Sequence, residues 1–498
     1  MTMFTKEKAD DGFPASDAAD AEKRAGYDAR DPSPSATLRG DEEGAAPMRS
    51  NSGVKEGEVE PANGNVMAQG EKSFKNMGRW DTSFVLITNQ IGIGILSLPS
   101  TLDILGIVPG VIAIVGLGIL STYTAYEMLQ FQQRHPHCVN IVDMCRVVGG
   151  RTFEIVGAIV LLVNIMFTCS SATVTMSVGL NTMSEHGACT VAFMAVAAIG
   201  CYLLCLPRTF KFIAKVGVPS LIAVLAAVLT VMISLGVADP SNAPANFKRE
   251  VQIVGNPTFR EGVGACLRIC YSYAGNVGFP SVLAEMTDPA KDFVPSLVWL
   301  QGVSIPLYVI VAVTIYCLAG QYTTSPALGS APAIPAKAAY GIMLLALLST
   351  GMVFGHTAIK YMYVFVLRRM NAAHEATSNT VKSWGSWVAC ATVFWIVVFI
   401  VAASVPVFDS ILSISSATLI AWTTFGISAI LWFHLNWHQL FKGWKKTVLT
   451  IINILIIVQS LFMNSAGMYT AVTQLLDIFN DPNESVEGAF TCADNSLF

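Results

Sequence analysis

Charge is scarce in this sequence: 13% of its 498 residues are Asp, Glu, Lys or Arg, against 53% that are hydrophobic. That balance excludes a soluble globular protein of this length, and with a mean hydropathy of +0.55 the chain reads as a polytopic, all-α membrane protein. There is no Walker-type loop, which excludes built-in ATP hydrolysis. There is no paired-carboxylate or nucleophile–base motif, so the chain does not read as an enzyme. Metal-ligand spacing is missing too. Cys201 and Cys205 share one helix face with no histidine or further cysteine beside them, and packing explains them better than a metal. Neither an organic cofactor nor a nucleic-acid footprint is read from the chain.

The charge that is present collects at the start. Residues 1–79 are rich in Gly, Ala, Ser and Pro, and their acidic excess accounts for the formal net charge of −4. This composition predicts a disordered acidic tail, where regulatory partners would bind. Its first residues, Met1-Thr-Met-Phe-Thr-Lys, hold no apolar stretch and argue against a cleaved signal peptide.

Spanning a bilayer takes about 20 apolar residues per helix, and that rule yields about eleven spans. They fall near 82–104, 108–131, 153–180, 188–206, 214–237, 261–286, 295–318, 336–366, 385–405, 409–433 and 447–474. Together they predict a transporter domain over 80–474. Basic residues crowd the loops on the side of the tail: Arg134, Arg146 and Arg151, then Arg208 and Lys211, Lys291, Arg368, Arg369 and Lys382, and Lys442, Lys445 and Lys446. The opposite loops hold mainly Lys248, Arg249, Arg260 and Lys337. The N-terminus is therefore expected in the cytoplasm and the 475–498 tail on the other side. The sequon Asn483-Glu-Ser485 lies in that tail, as a glycosylation acceptor would. Cys189 and Cys492 would share that side, and the sequence leaves open whether they are joined.

Two of the spans are interrupted, by Asn89-Gln-Ile-Gly-Ile-Gly-Ile-Leu-Ser-Leu-Pro99 and by Tyr271-Ser-Tyr-Ala-Gly-Asn-Val-Gly-Phe-Pro280. Either run alone reads as close packing or an ordinary kink. Set five spans apart, where an inverted repeat places matching helices, they point to a midplane site in a secondary transporter. A half-helix N-terminus near Gly92, Ile93 and Gly94 offers N–H groups and a positive dipole end to a carboxylate. Carbonyls near Thr88, Asn89 and Ile91, and near Tyr271, Ser272 and Tyr273, suit an ammonium group. Gly275 and Asn276 form the second unwound stretch. Donors on one side and acceptors on the other fit a zwitterion, for which free amino acids are the obvious candidates.

The run Tyr273-Ala-Gly-Asn-Val-Gly-Phe-Pro-Ser-Val-Leu-Ala-Glu-Met-Thr-Asp-Pro289 resembles the sixth-helix signature of the amino acid/auxin permease family. Gly92-Ile-Gly-Ile-Leu-Ser-Leu-Pro99 is similar to that family's first helix. The likeness covers roughly residues 78 to 470 and is nearest to fungal neutral amino acid permeases. It implies a LeuT-type fold, two inverted five-helix repeats plus one helix, working by alternating access. It also implies proton-coupled uptake of aliphatic and aromatic amino acids across the plasma membrane.

Ionisable residues at membrane depth are candidates for coupling or gating. Arg268 precedes the second break and could meet a substrate carboxylate or Glu285, or turn to the outer face. His356, with Lys360 one turn on, titrates in the range a proton symporter needs, though packing is the commoner role. Lys215 near the start of span 5 could supply a charge in place of sodium, while Ser349 and Thr350 keep a sodium site open. Glu285 closes span 6 as a candidate cytoplasmic gate. Asn164 and Glu127 carry weaker signals. The expected function is proton-coupled symport of neutral L-amino acids. The alternatives are a vacuolar or vesicular exporter of the same family and an amino acid-sensing receptor.

Overall fold

The computed structural model describes residues 77–208, 213–244, 247–372, 380–480 and 488–492. The acidic tail up to residue 76 and the sequon Asn483 lie outside the described residues. In chain order the helices are α1 (Arg79–Gln90), α2 (Leu98–Leu105), α3 (Ile107–Arg134), α4 (Ile141–Ser184), α5 (Thr190–Cys205), α6 (Ile213–Val237), α7 (Phe259–Ser272) and α8 (Phe279–Glu285). They continue as α9 (Pro289–Ala319), α10 (Ala333–Arg369), α11 (Val381–Ser404), α12 (Phe408–Ser415), α13 (Ile427–Asn436), α14 (Trp444–Phe462) and α15 (Met468–Asn480). Among the described residues the only β pairing is an isolated bridge between Met77 and Met286.

Helix stands at each of the expected spans. Among the described residues, eight helical stretches are long and apolar enough to cross a membrane, or nine with the bent α1–α2 pair. α5 is apolar but shorter, and α7 with α8 forms a second broken pair. The 44 residues of α4 are really two helices, because Gly149 and Gly150 leave helical geometry, Gly150 with φ +63°. The part before this kink packs Ile141, Val142, Met144 and Cys145 against Met128 and Phe131 of α3. The part after the kink contains the expected span 153–180.

Helix starts follow local chemistry. Thr258 and Glu261 make a reciprocal capping box at α7, with Thr258 N–H donating to Glu261 Oε2 at 2.8 Å. The Asp288 side chain accepts from Lys291 N–H at 3.2 Å, and Pro289 opens α9, where its missing N–H costs nothing. At the other end, Cys189 and Cys492 form a disulfide, and Phe490 N–H donates to Ala403 O at 2.9 Å.

Burial is distributed as a bilayer requires. Large aliphatic side chains such as Ile112, Ile159, Ile222 and Ile310 face outward, while Ser170, Ser171, Thr173, Thr175 and Ser177 of α4 are buried between helices. Small residues set the closest approaches. A Cβ on Gly351 of α10 would lie 2.6 Å from Cys201 Sγ, and one on Gly355 would lie 2.8 Å from the Trp395 ring and 3.2 Å from Cys205 Sγ. The Cys201/Cys205 pair thus packs against two glycines of α10.

Candidate functional site

The two broken helices meet. Between α1 and α2 the backbone leaves the helix at Ile91 (φ −80°, ψ 96°) and Gly92. It resumes as a tight 3₁₀ turn over Ile93–Ser97, and the two halves are bent by 43°. Between α7 and α8 it leaves at Tyr273 and passes through a 3₁₀ turn over Ala274–Gly278. Both continuing helices carry a proline in their first two positions, Pro99 and Pro280. Neither 3₁₀ turn is capped by a side chain at its start, which leaves the N-terminal N–H groups to other acceptors.

Gly94 is the point of closest contact. A Cβ there would lie 2.7 Å from Ser272 Cα and 2.8 Å from Ser272 Oγ, so only glycine lets the first break touch the second. On the far side of the crossing, a Cβ on Gly275 would lie 3.4 Å from Gln90 Oε1. Gly92 faces open space, with nothing within 4 Å of an added Cβ. Glycine backbone, with the Ser272 hydroxyl and the Gln90 side chain beside it, therefore lines the place where the two spans cross.

Several side chains hold this crossing, and most give no signal in the sequence. Tyr308 of α9 places one hydroxyl 2.9 Å from Gln90 O and 3.0 Å from Ser272 O. It thus serves carbonyls released by both breaks, including the Ser272 carbonyl expected as an amine acceptor. Gln90, beside the expected Asn89, is the buried residue of that pair, and its amide donates to Gln301 Oε1 at 3.3 Å; Asn89 itself is exposed. Thr88 Oγ1 turns back to Val85 O at 3.0 Å and packs on Gly217 of α6. Nothing in the apolar run of α9 marked Tyr308; a tyrosine in mid-span, needing a partner for its hydroxyl, was the available signal.

Asn276 is committed to the scaffold. Its Nδ2 donates to Thr124 Oγ1 at 2.9 Å and to Ser121 O at 3.1 Å, while its Oδ1 accepts from Ser121 Oγ at 3.1 Å. It also approaches Thr424 O at 3.5 Å, in a π-helical stretch over Ser416–Gly426. A second π stretch, Met463–Gly467, lies alongside, where Asn464 donates to Ala417 O at 3.2 Å. π segments leave backbone carbonyls available to outside donors. The hydroxyls of Tyr271 and Tyr273 likewise face the scaffold, reaching Ser171 Oγ at 2.8 Å and Ile114 O at 2.9 Å.

The ionisable candidates separate. Arg268, 8% exposed, pairs with Asp409 of α12 and donates to Ser100 Oγ of α2 at 3.3 Å; Ser325 bonds the other Asp409 oxygen. Its partner is therefore Asp409, not Glu285. This pair borders a cavity of about 330 Å³ that also meets Arg260, Glu261, Gln474 and Asp477. Glu285 lies at the exposed end of α8, electrostatically opposite the half-buried Lys360 of α10. His356 is buried against Trp387, with Nε2 3.2 Å from Pro207 O, at the junction of α5, α10 and α11. The side chain of Lys215 lies outside the described residues. Ser349 and Thr350 both turn their hydroxyls back to their own helix, at 2.6 Å and 3.0 Å. Asn164 is buried in α4.

Comparison with known proteins places the chain among membrane transporters. The model of the transmembrane amino acid transporter protein family matches residues 75–473. The N amino acid transport system protein of Neurospora crassa is 28% identical over 448 residues, covering 88% of this chain and 94% of that one. A transmembrane transporter of Gibberella moniliformis is 28% identical over 434 residues, covering 85% of this chain and 89% of that one. Among solved structures, a nucleobase-cation-symport-1 family transporter in a closed conformation, with bromovinylhydantoin bound, superposes with a TM-score of 0.48 at 12% identity. That alignment covers 82% of this chain and 94% of the other. These relatives are transporters and not enzymes, and a family match across all the described spans makes this chain a member of the transmembrane amino acid transporter family.

Proposed function

We propose that the chain is a proton-coupled symporter that brings neutral, aliphatic and aromatic L-amino acids into the cell by alternating access. The observation that carries this reading is the contact of the two breaks, Gly94 on Ser272. It brings uncapped N–H groups and backbone carbonyls of two spans together in one glycine-lined crossing, the requirement for gripping both ends of a zwitterion. Eleven spans in a five-plus-five inverted repeat is the matching architecture. Moving one broken span against the other would expose the crossing to each side in turn.

The membrane is proposed to be the plasma membrane, with the N-terminus in the cytoplasm and the C-terminus outside. The disulfide between Cys189 and Cys492 supports that orientation, since such bonds persist in oxidising compartments. The test is uptake of radiolabelled leucine and phenylalanine at about pH 5 and about pH 7.5, with and without sodium, against unlabelled competitors. Uptake that rises at the lower pH and ignores sodium is expected. Sodium dependence without a pH effect would overturn the proton assignment.

A further inference from the structure

We propose that Glu127 on α3 carries the coupling proton, taking it up on a carboxylate oxygen and releasing it to cytoplasmic water. Glu127 in this role presupposes the proton-coupled reading above.

Glu127 is 1% exposed, and neither carboxylate oxygen has a hydrogen-bond donor among the described residues. Its polar neighbours are Tyr123, one turn back on α3, and Asn453 of α14. These two are already engaged with each other, the Asn453 amide donating to Tyr123 Oη at 2.8 Å. Asn453 Oδ1, like the Glu127 oxygens, is a buried acceptor with no donor. The cluster thus brings together three acceptor atoms, and its one uncommitted donor is the Tyr123 hydroxyl, too few for a carboxylate and an amide oxygen. A bare carboxylate in such surroundings is costly by several kcal/mol. The protonated carboxyl is the one form of Glu127 that supplies a donor, and it carries no net charge.

Among the described residues no counter-ion pairs with Glu127. The elements around α3 carry Asp103 (α2), Asp143, Arg146, Arg151 and Glu154 (α4), Arg260, Glu261 and Arg268 (α7), Glu285 (α8), Lys291 and Asp292 (α9), His434 (α13), and Lys445 and Lys446 (α14); Arg268 is paired with Asp409 and Arg146 with Glu154. Lys446 donates to Asn436 Oδ1 at 2.6 Å, and His434 stacks near Phe131 and His135. The polar side chains next to Glu127 are those of Tyr123 and Asn453, neither of them charged.

The position links the proton to the substrate crossing. Thr124, three residues before Glu127 and so on the same helix face, accepts from Asn276 in the second break, and Ser121 binds the same asparagine. Movement of the broken span therefore pulls directly on the turn of α3 that precedes Glu127. Parting α3 from Asn453 of α14 would admit water to the carboxyl and let the proton go.

The test compares wild type, E127Q and E127D, each as the full chain in liposomes, with two readouts. The first is leucine accumulation driven by an inward gradient of about two pH units, for which one proton per substrate permits on the order of a hundredfold accumulation, tenfold per unit. The second is counterflow of labelled leucine into leucine-loaded vesicles at equal pH, which needs no net proton movement. E127Q should exchange leucine yet accumulate none above equilibrium, and E127D should recover gradient-driven accumulation. If wild type accumulates and E127Q does so equally, or if E127Q loses exchange as well, Glu127 is not the proton carrier. If wild type exchanges but shows no gradient-driven accumulation, or is driven by sodium, the coupling reading falls and Glu127's role with it.

Discussion

Replacing Tyr308 with phenylalanine removes one oxygen and keeps the ring. The hydroxyl is fully buried between Gln90 O and Ser272 O, so both carbonyls lose their shared donor and no bulk water takes its place. A buried acceptor left without its partner costs about 1–3 kcal/mol. Two acceptors are affected, but a single proton served both, so the loss belongs in that range and not at twice it. On an equilibrium between open and closed crossings the same energy is about a 5–150-fold shift. The ring itself packs edge-on to Tyr273 at 5.4 Å, and this contact survives the change. Y308F should therefore reach the membrane, melt at a lower temperature in detergent by roughly a few degrees, and transport slowly. Y316F, on the same helix, is the control: among the described residues its hydroxyl accepts from Gln252 N–H alone, at 3.0 Å in the loop between α6 and α7, so transport should change far less. Y308F with wild-type melting temperature and wild-type uptake would refute the bridging role.

G94A should abolish uptake while the protein still reaches the membrane, because its Cβ would sit 2.7 Å from Ser272 Cα and force the breaks apart, an overpacking cost of about 1–3 kcal/mol. G278A, helical at φ −86° and ψ −15° with nothing within 4 Å of the added methyl, should retain uptake; equal behaviour of the two would count against the contact. D409N should lower both surface expression and uptake, since Arg268 would keep its buried charge without a carboxylate; wild-type transport would show the pair to be dispensable. His135, just past the end of α3, has its imidazole held below the usual histidine range by burial, then by His137, His434 and Arg134. The unfolded chain therefore binds that proton more readily, and stability is full above about pH 6.5 and declines as the pH falls below it. H135N should flatten this decline in melting curves taken between about pH 7.5 and 5; an unchanged decline would assign it to other groups.

Much of the membrane domain was legible because periodicity is not needed to see it. Runs of apolar residues about 20 long announce themselves, and Gly92, Gly94, Gly275 and Pro280 mark the breaks because lipid forbids loose backbone. The kink at Gly149 and Gly150 joins two helices of which the expected third span, 153–180, lies wholly in the second. The partners across helices were not legible. Arg268 finds Asp409 at a separation of 141 residues, and Tyr308 reaches two breaks at once; such pairings depend on helix rotations that no local pattern encodes. The π stretches at Ser416–Gly426 and Met463–Gly467 also escaped notice, since one extra residue per turn leaves composition unchanged. Asn276 shows the limit from the other side. It was identified as part of the site, yet its amide is occupied in fastening the second break to α3, a role that only the neighbours' positions could reveal.

The disulfide between Cys189 and Cys492 spans 303 residues, and this closes a covalent ring. Everything from α5 to α15 lies within it, including the second break between α7 and α8. The first break, with α1 to α4, lies outside. The two halves of the crossing at Gly94 and Ser272 thus belong to topologically different parts of the chain: one on a free arm, the other on a closed loop whose ends are fixed at one face. Any rocking of the first span is a motion of that arm against the ring, and the two are joined across the crossing only by contacts that can be made and broken.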